Sequence, residues 1–194
     1  MLVLLASCAN SLDYTLPPTR EGVKKSLTVN APFDRVWDEL IAKVGSTFFA
    51  IENFEKASGL LTLSFTTSPF SKSVDGGHSK RHFDNSFSAP IGHATVINFD
   101  GNYADYLQQF LNATLLGKVN LVVRSIDANS TSVTVNTRFV VSAPNGPTLL
   151  TWSWNSGERC SQSVKDGASG QMVERVFQST GFVEKQIMDA IQSL

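Results

Sequence analysis

Two alternating apolar runs around a short polar turn leave this 194-residue chain few folds to choose from. Between residues 118 and 126, Val119, Leu121 and Val123 alternate with polar neighbours, and between 132 and 141 Val133, Val135, Thr137 and Phe139 do the same. Period-two alternation turns one face of each strand to a core and the other to water. The intervening Asp127-Ala128-Asn129-Ser130 is turn-forming, because short polar side chains bond the nearby backbone. The spacing predicts a long antiparallel hairpin. A lone hairpin is barely stable in water, so further elements have to cover its apolar face.

Those elements can be read on both sides of it. Residues 25–29 alternate as a strand, with Asn30 placed to cap a helix and Pro32 in its first turn, where a missing N–H costs nothing. Phe33, Val36, Trp37, Leu40, Ile41 and Val44 then recur at helical spacing, and Gly45 can end the helix. Residues 48–54 and 60–65 read as strands joined by Glu55-Lys56-Ala57-Ser58-Gly59, with Leu61, Leu63 and Phe65 on one face. From 66 to 93 the pattern dissolves into Ser, Lys, Gly, His and Asp, which predicts a long functional or mobile loop. Residues 94–99 and 148–154 read as strands, 105–116 as a short helix or an irregular turn, and 157–170 as a polar loop. The chain closes with a predicted helix over 171–194, broken near Ser179-Thr180-Gly181, whose stripe is Val183, Ile187, Ala190, Ile191 and Leu194. This order predicts an α+β domain: an antiparallel sheet with an N-terminal amphipathic helix and a long C-terminal helix on one face.

Composition narrows the setting. Charged residues are 17% of the chain, against about 25% in an average domain, and 23 Ser and 15 Thr outnumber the 33 charged side chains. That surface suits β-structure outside the cytoplasm. A net charge of -1 and a pI near 6.3 exclude the basic footprint of a nucleic-acid binder. Two cysteines exclude a disulfide framework and a four-thiolate zinc site.

At the amino terminus, Leu5-Ala6-Ser7-Cys8 resembles a bacterial lipobox. The resemblance implies acylation of Cys8 and cleavage before it. Residues 1–7 are then a signal remnant, 8–23 a Pro-containing tether, and 24–194 a single domain. The apolar run over 1–6 is far shorter than the ~20 residues that span a bilayer. Two or more acyl chains anchor a protein stably, at about 0.8 kcal/mol per buried methylene. Ala9, where Asp would favour inner-membrane retention, implies the outer membrane by the same resemblance. The stretch from Leu27-Thr28-Val29-Asn30-Ala31-Pro32-Phe33 through Val36-Trp37 to Gly59-Leu60-Leu61 resembles the start of helix-grip domains of the START and polyketide-cyclase-like superfamily. It is similar in particular to the repeated domains of the lipoprotein C subunit of the outer-membrane barrel-assembly machine.

Few residues carry a chemical signature. His78 and His82, with Asp75 and Asp84 near them, stand at a spacing that on a helix could converge on a metal, but Gly76-Gly77 argues for a polar loop instead. His93 reads as a loop residue. The nucleophile motif Gly-x-Ser-x-Gly and a phosphate-binding glycine loop are both missing. Lys72, Lys80 and Arg81 could meet anionic groups or simply be solvated, and Cys160 is either buried or open to intermolecular pairing. Trp37, Phe139, Trp152, Trp154 and Phe177 could line a solid core or a ligand cavity between the sheet and the closing helix. The expectation is a non-enzymatic lipoprotein without cofactor, facing the periplasm from the outer membrane. Its partners would be the membrane, through the anchor, and an envelope protein for which it serves as accessory or scaffold. The alternative is a carrier of a lipid or other small hydrophobic ligand.

Overall fold

The computed structural model describes residues 10–20, 24–85, 88–90, 95–166 and 170–194. The first elements among the described residues are strand β1 (Ser11–Thr15), β2 (Ser26–Val29) and helix α1 (Phe33–Gly45), followed by the hairpin β3 (Ala50–Glu55) and β4 (Leu60–Phe65). A short helical turn (Phe70–Lys72), β5 (Val74–Asp75), β6 (His78–Asp84) and β7 (Val96–Asn102) lead to α2 (Tyr103–Leu111). Then come β8 (Thr114–Asp127), β9 (Ser130–Asn145), β10 (Thr148–Asn155), β11 (Arg159–Lys165), β12 (Met172–Ser179) and α3 (Phe182–Gln192). The result is a β-rich α+β fold with antiparallel pairing throughout the described strands.

The predicted hairpin is the spine. β8 and β9 pair with Val119 opposite Thr137, Leu121 opposite Val135 and Val123 opposite Val133, and all six side chains are buried. The six-stranded sheet runs β10-β9-β8-β4-β3, and β2 shares the outer edge of the long β9 with β10. At the tip of the hairpin the Asn129 N–H donates to the Asp127 carboxylate at 2.8 Å and the Ser130 hydroxyl does so at 2.6 Å. Those bonds hold the Asp127 carboxyl below its ordinary pKa, the Ser130 hydroxyl contributing most. Leu61, Leu63 and Phe65 of β4 are buried on one face, as their alternation predicts.

α1 lays Val36, Trp37, Leu40 and Val44 against β8 and β9, and α3 packs beside it with Val183, Ile187 and Ile191 inward. On the outer side of α1, Lys56 from the β3–β4 turn reaches Asp34 at 3.1 Å and Asp38 at 3.0 Å. Asn30 does not cap the helix. Pro32 occupies the capping position without a side-chain bond, and its carbonyl accepts from the Val36 N–H.

Four expectations need correction. The stretch expected as a tether over 8–23 is largely part of the domain: β1 pairs with β6 in a second sheet, β1-β6-β7. Residues 66–93, expected as a loop, hold β5 and β6; inward Ser79 and Arg81 alternate with outward Lys80, a polar strand that an apolar pattern search passes over. The 157–170 loop holds β11, and 172–179 is strand β12 rather than helix, completing a third sheet, β11-β12-β5. Only Phe182–Gln192 of the predicted closing helix is helical.

Packing within the spine is tight enough to test. Gly117 faces the Phe65 ring so closely that a Cβ at that position would overlap it. Gly117→Ala is therefore expected to destabilise the protein by about 1–3 kcal/mol. The shift should appear in the urea unfolding midpoint, and adding Phe65→Leu should recover part of it.

Candidate functional site

Four of the five aromatic residues picked out in the sequence do meet. Phe139 stacks on Trp154 with ring centroids 5.4 Å apart, and Phe177 lies 4.9 Å from Trp152 and 5.8 Å from Trp154. Trp37 stands apart on α1, stacked on Phe33 at 5.9 Å. All five are buried in the hydrophobic core, and none of them lines the four pockets found among the described residues. Cys8 and His93 lie outside the described residues. His78 and His82 sit four residues apart on a strand, which spaces them roughly 13 Å along it and prevents a shared metal. Each has a separate partner: His78 pairs with Asp100 at 2.9 Å, and His82 meets the Asn98 side chain at 2.7 Å. Among the described residues no group of three or more His, Cys, Asp or Glu is gathered in metal-binding range, and no helix is long and apolar enough to cross a membrane. Cys160 is a free thiol, half-buried against the core.

A pocket with both apolar walls and buried charge lies elsewhere, where the second and third sheets meet α2 and the β9–β10 turn. It is a half-open pocket of about 330 Å3, near the lower end of the roughly 300–1,000 Å3 usual for small-molecule sites. Phe83, Ile97, Leu107, Leu111, Leu150 and Val164 give it apolar walls. None of the five predicted aromatics lines it.

Its polar end is a buried ionic cluster. Arg81 points inward from β6, Arg175 from β12, and Asp166 follows directly on β11. The three are 8%, 1% and 5% exposed. The Arg81 guanidinium donates to the Asp166 carboxylate, and Arg175 reaches the same oxygen at 3.5 Å. Two cations thus share one carboxylate. Tyrosine faces flank both guanidinium groups: Arg81 lies 4.2 Å from the Tyr106 ring centre, and Arg175 lies 4.3 Å from that of Tyr14 and 4.4 Å from that of Tyr103. Such contacts strengthen as water is removed. Tyr14 is fixed in turn, its hydroxyl donating to the Gly76 carbonyl at 2.9 Å and accepting from the Val176 N–H at 3.1 Å.

Burial sets the proton chemistry. It lifts the Tyr103 and Tyr14 hydroxyls above their ordinary pKa, against the opposing pull of the Arg175 charge, and it lowers that of Arg81. At neutral pH both phenols are protonated. This is an environment for holding an anion, with apolar surface beside it.

Arg81 was legible as one of three basic residues, but its companions diverge. Lys72 lies over the Phe182 ring at 4.7 Å and Lys80 faces Asp100 at 3.8 Å. Arg175 and Asp166 were missed. The signal for Arg175 is the alternation of Val173, Arg175 and Phe177 with polar Glu174, which marks a strand with arginine on its inner parity. No protein-family model, curated protein or solved structure matches the chain.

Asp166→Asn would leave two buried guanidinium groups without a carboxylate, and a loss of about 3–5 kcal/mol is expected in denaturant unfolding. A second outcome concerns pH. Because the folded-state pKa of Tyr103 and Tyr14 lies above the unfolded value of 10.0, their contribution is complete below pH 10 and is lost as pH rises toward the folded value. Unfolding midpoints should therefore fall from pH 9 to pH 11, and the fall should be shallower in Tyr103→Phe.

Proposed function

We propose that this chain is a lipoprotein held at the outer membrane through Cys8, and that its periplasmic domain works by binding a small hydrophobic ligand. The observation that carries the binding half is the apolar-walled pocket of about 330 Å3 between α2 and the two smaller sheets. The lipobox-like Leu5-Ala6-Ser7-Cys8 carries the anchoring half. The finer fold belongs to the same reading. α1 and α3 pack against each other and against β9, which supports a helix-grip arrangement of the six-stranded sheet, with the two smaller sheets as additions.

A second reading, a scaffold in envelope assembly, is favoured by β3. It forms one edge of the six-stranded sheet, and its whole length is exposed, with Phe54 63% and Ile51 37% accessible. Exposed edges pair readily with strands of other chains.

Titration of the full chain with the uncharged fluorophore N-phenyl-1-naphthylamine tests the binding reading. Saturable enhancement is expected, weakened at least tenfold by Leu111→Trp, which fills the pocket. A linear, non-saturating response, or one that Leu111→Trp leaves unchanged, would count against it. Membrane fractionation of Cys8→Ser tests the anchor: the variant should move to the soluble fraction.

A further inference from the structure

We propose that the pocket selects a single-chain amphiphile with an anionic head, the head seated on Arg175 and Arg81 and the chain lying against the apolar walls. The proposal rests on the binding reading above and names its ligand class. Three observations carry it.

The first is charge. Among the described residues the pocket is lined by Arg81, Lys165 and Arg175 against the single carboxylate of Asp166. The two arginines are buried, so a positive charge is left over where water screens it poorly. A burial of this kind is costly unless each cation finds a counter-charge.

The second is an unfilled donor. The Arg175 side chain is 1% exposed, and its Nη1 has no hydrogen-bond partner among the described residues. Its other terminal nitrogen is committed to Asp166, while Tyr14 and Tyr103 clamp the guanidinium plane. A planar fork with one arm committed and the other buried and unpaired has a donor to offer one oxygen of a carboxylate or phosphate.

The third is reach. Tyr14, which stacks on Arg175, is six residues from Cys8, and six extended residues span at most roughly 20–22 Å. Because β1 is locked into its sheet, an anchor at Cys8 would hold the pocket close to the lipid surface rather than at the end of a long tether. Membranes are where anionic single-chain amphiphiles concentrate.

Calorimetric titration of the full chain below the micelle concentration, with laurate, dodecyl phosphate, dodecanol and acetate as probes, tests this. At least one of the two charged amphiphiles should bind about tenfold or more tighter than dodecanol, the margin of one charge-assisted hydrogen bond, and whichever leads identifies the head as carboxylate or phosphate. Arg175→Met should collapse that ratio toward one, whereas Lys80→Ala, outside the pocket, should leave it intact. If Arg175→Met does not fold, Arg175→Lys replaces it, keeping the charge but losing the fork, and should cut the ratio several-fold. Dodecanol binding as tightly as both charged amphiphiles would overturn the anionic head and leave the pocket reading standing. Acetate binding as tightly as laurate would overturn the role of the chain. No binding by any probe would overturn both.

Discussion

One carboxylate, that of Asp166, holds two guanidinium groups out of water, and the smaller half of the molecule is arranged around that contact. Arg81 comes from the β1-β6-β7 sheet and Arg175 from the β11-β12-β5 sheet, so the cluster ties the two sheets together, alongside the Val176–Tyr14 and Asn102–Asp75 hydrogen bonds. α2 closes over it with the Tyr103 and Tyr106 rings, themselves stacked 5.8 Å apart, and β1 adds Tyr14. Removing either kind of partner would leave a charge in a medium that cannot solvate it. A well-packed apolar replacement for such a cluster is often as stable or more so. Its presence therefore points to use as well as to folding.

The six-stranded sheet and its helices were legible because their side chains obey simple periods. The β8–β9 hairpin alternates at two, and α1 repeats at 3.6, with the apolar residues in both cases on the buried face. The rest was obscured by the same features that make the site. β6 carries Ser79 and Arg81 on its inner parity instead of Val or Ile, so its alternation is invisible to a search for apolar residues. β12 reads as helix because Val173, Val176 and Phe177 fit a helical stripe as well as a strand whose end is buried on both faces. Short apolar runs do not distinguish the two. Asp166 gave no signal, since its partners are 85 and 9 residues away and only the fold brings them together.

The aromatic cluster illustrates the opposite case. Trp152, Trp154, Phe139 and Phe177 do come together as the sequence implies, but as buried core side chains that line none of the pockets found among the described residues. The pocket opens instead beside the charged cluster, where tyrosine rings and arginine stems meet aliphatic walls that do not close over them. A pocket with a charged end and a buried aromatic cluster therefore occupy one small domain.

The decisive observation is the state of the two guanidinium groups themselves. Side-chain NMR of the seven arginines, resolved through their Nε–Hε signals, should show Arg81 and Arg175 dispersed from the others, slow to exchange with solvent, and shifted together on adding laurate. Signals for those two residues that exchange as fast as those of exposed Arg35 and Arg124, and that stay still through the titration, would contradict a buried, ligand-facing arginine pair.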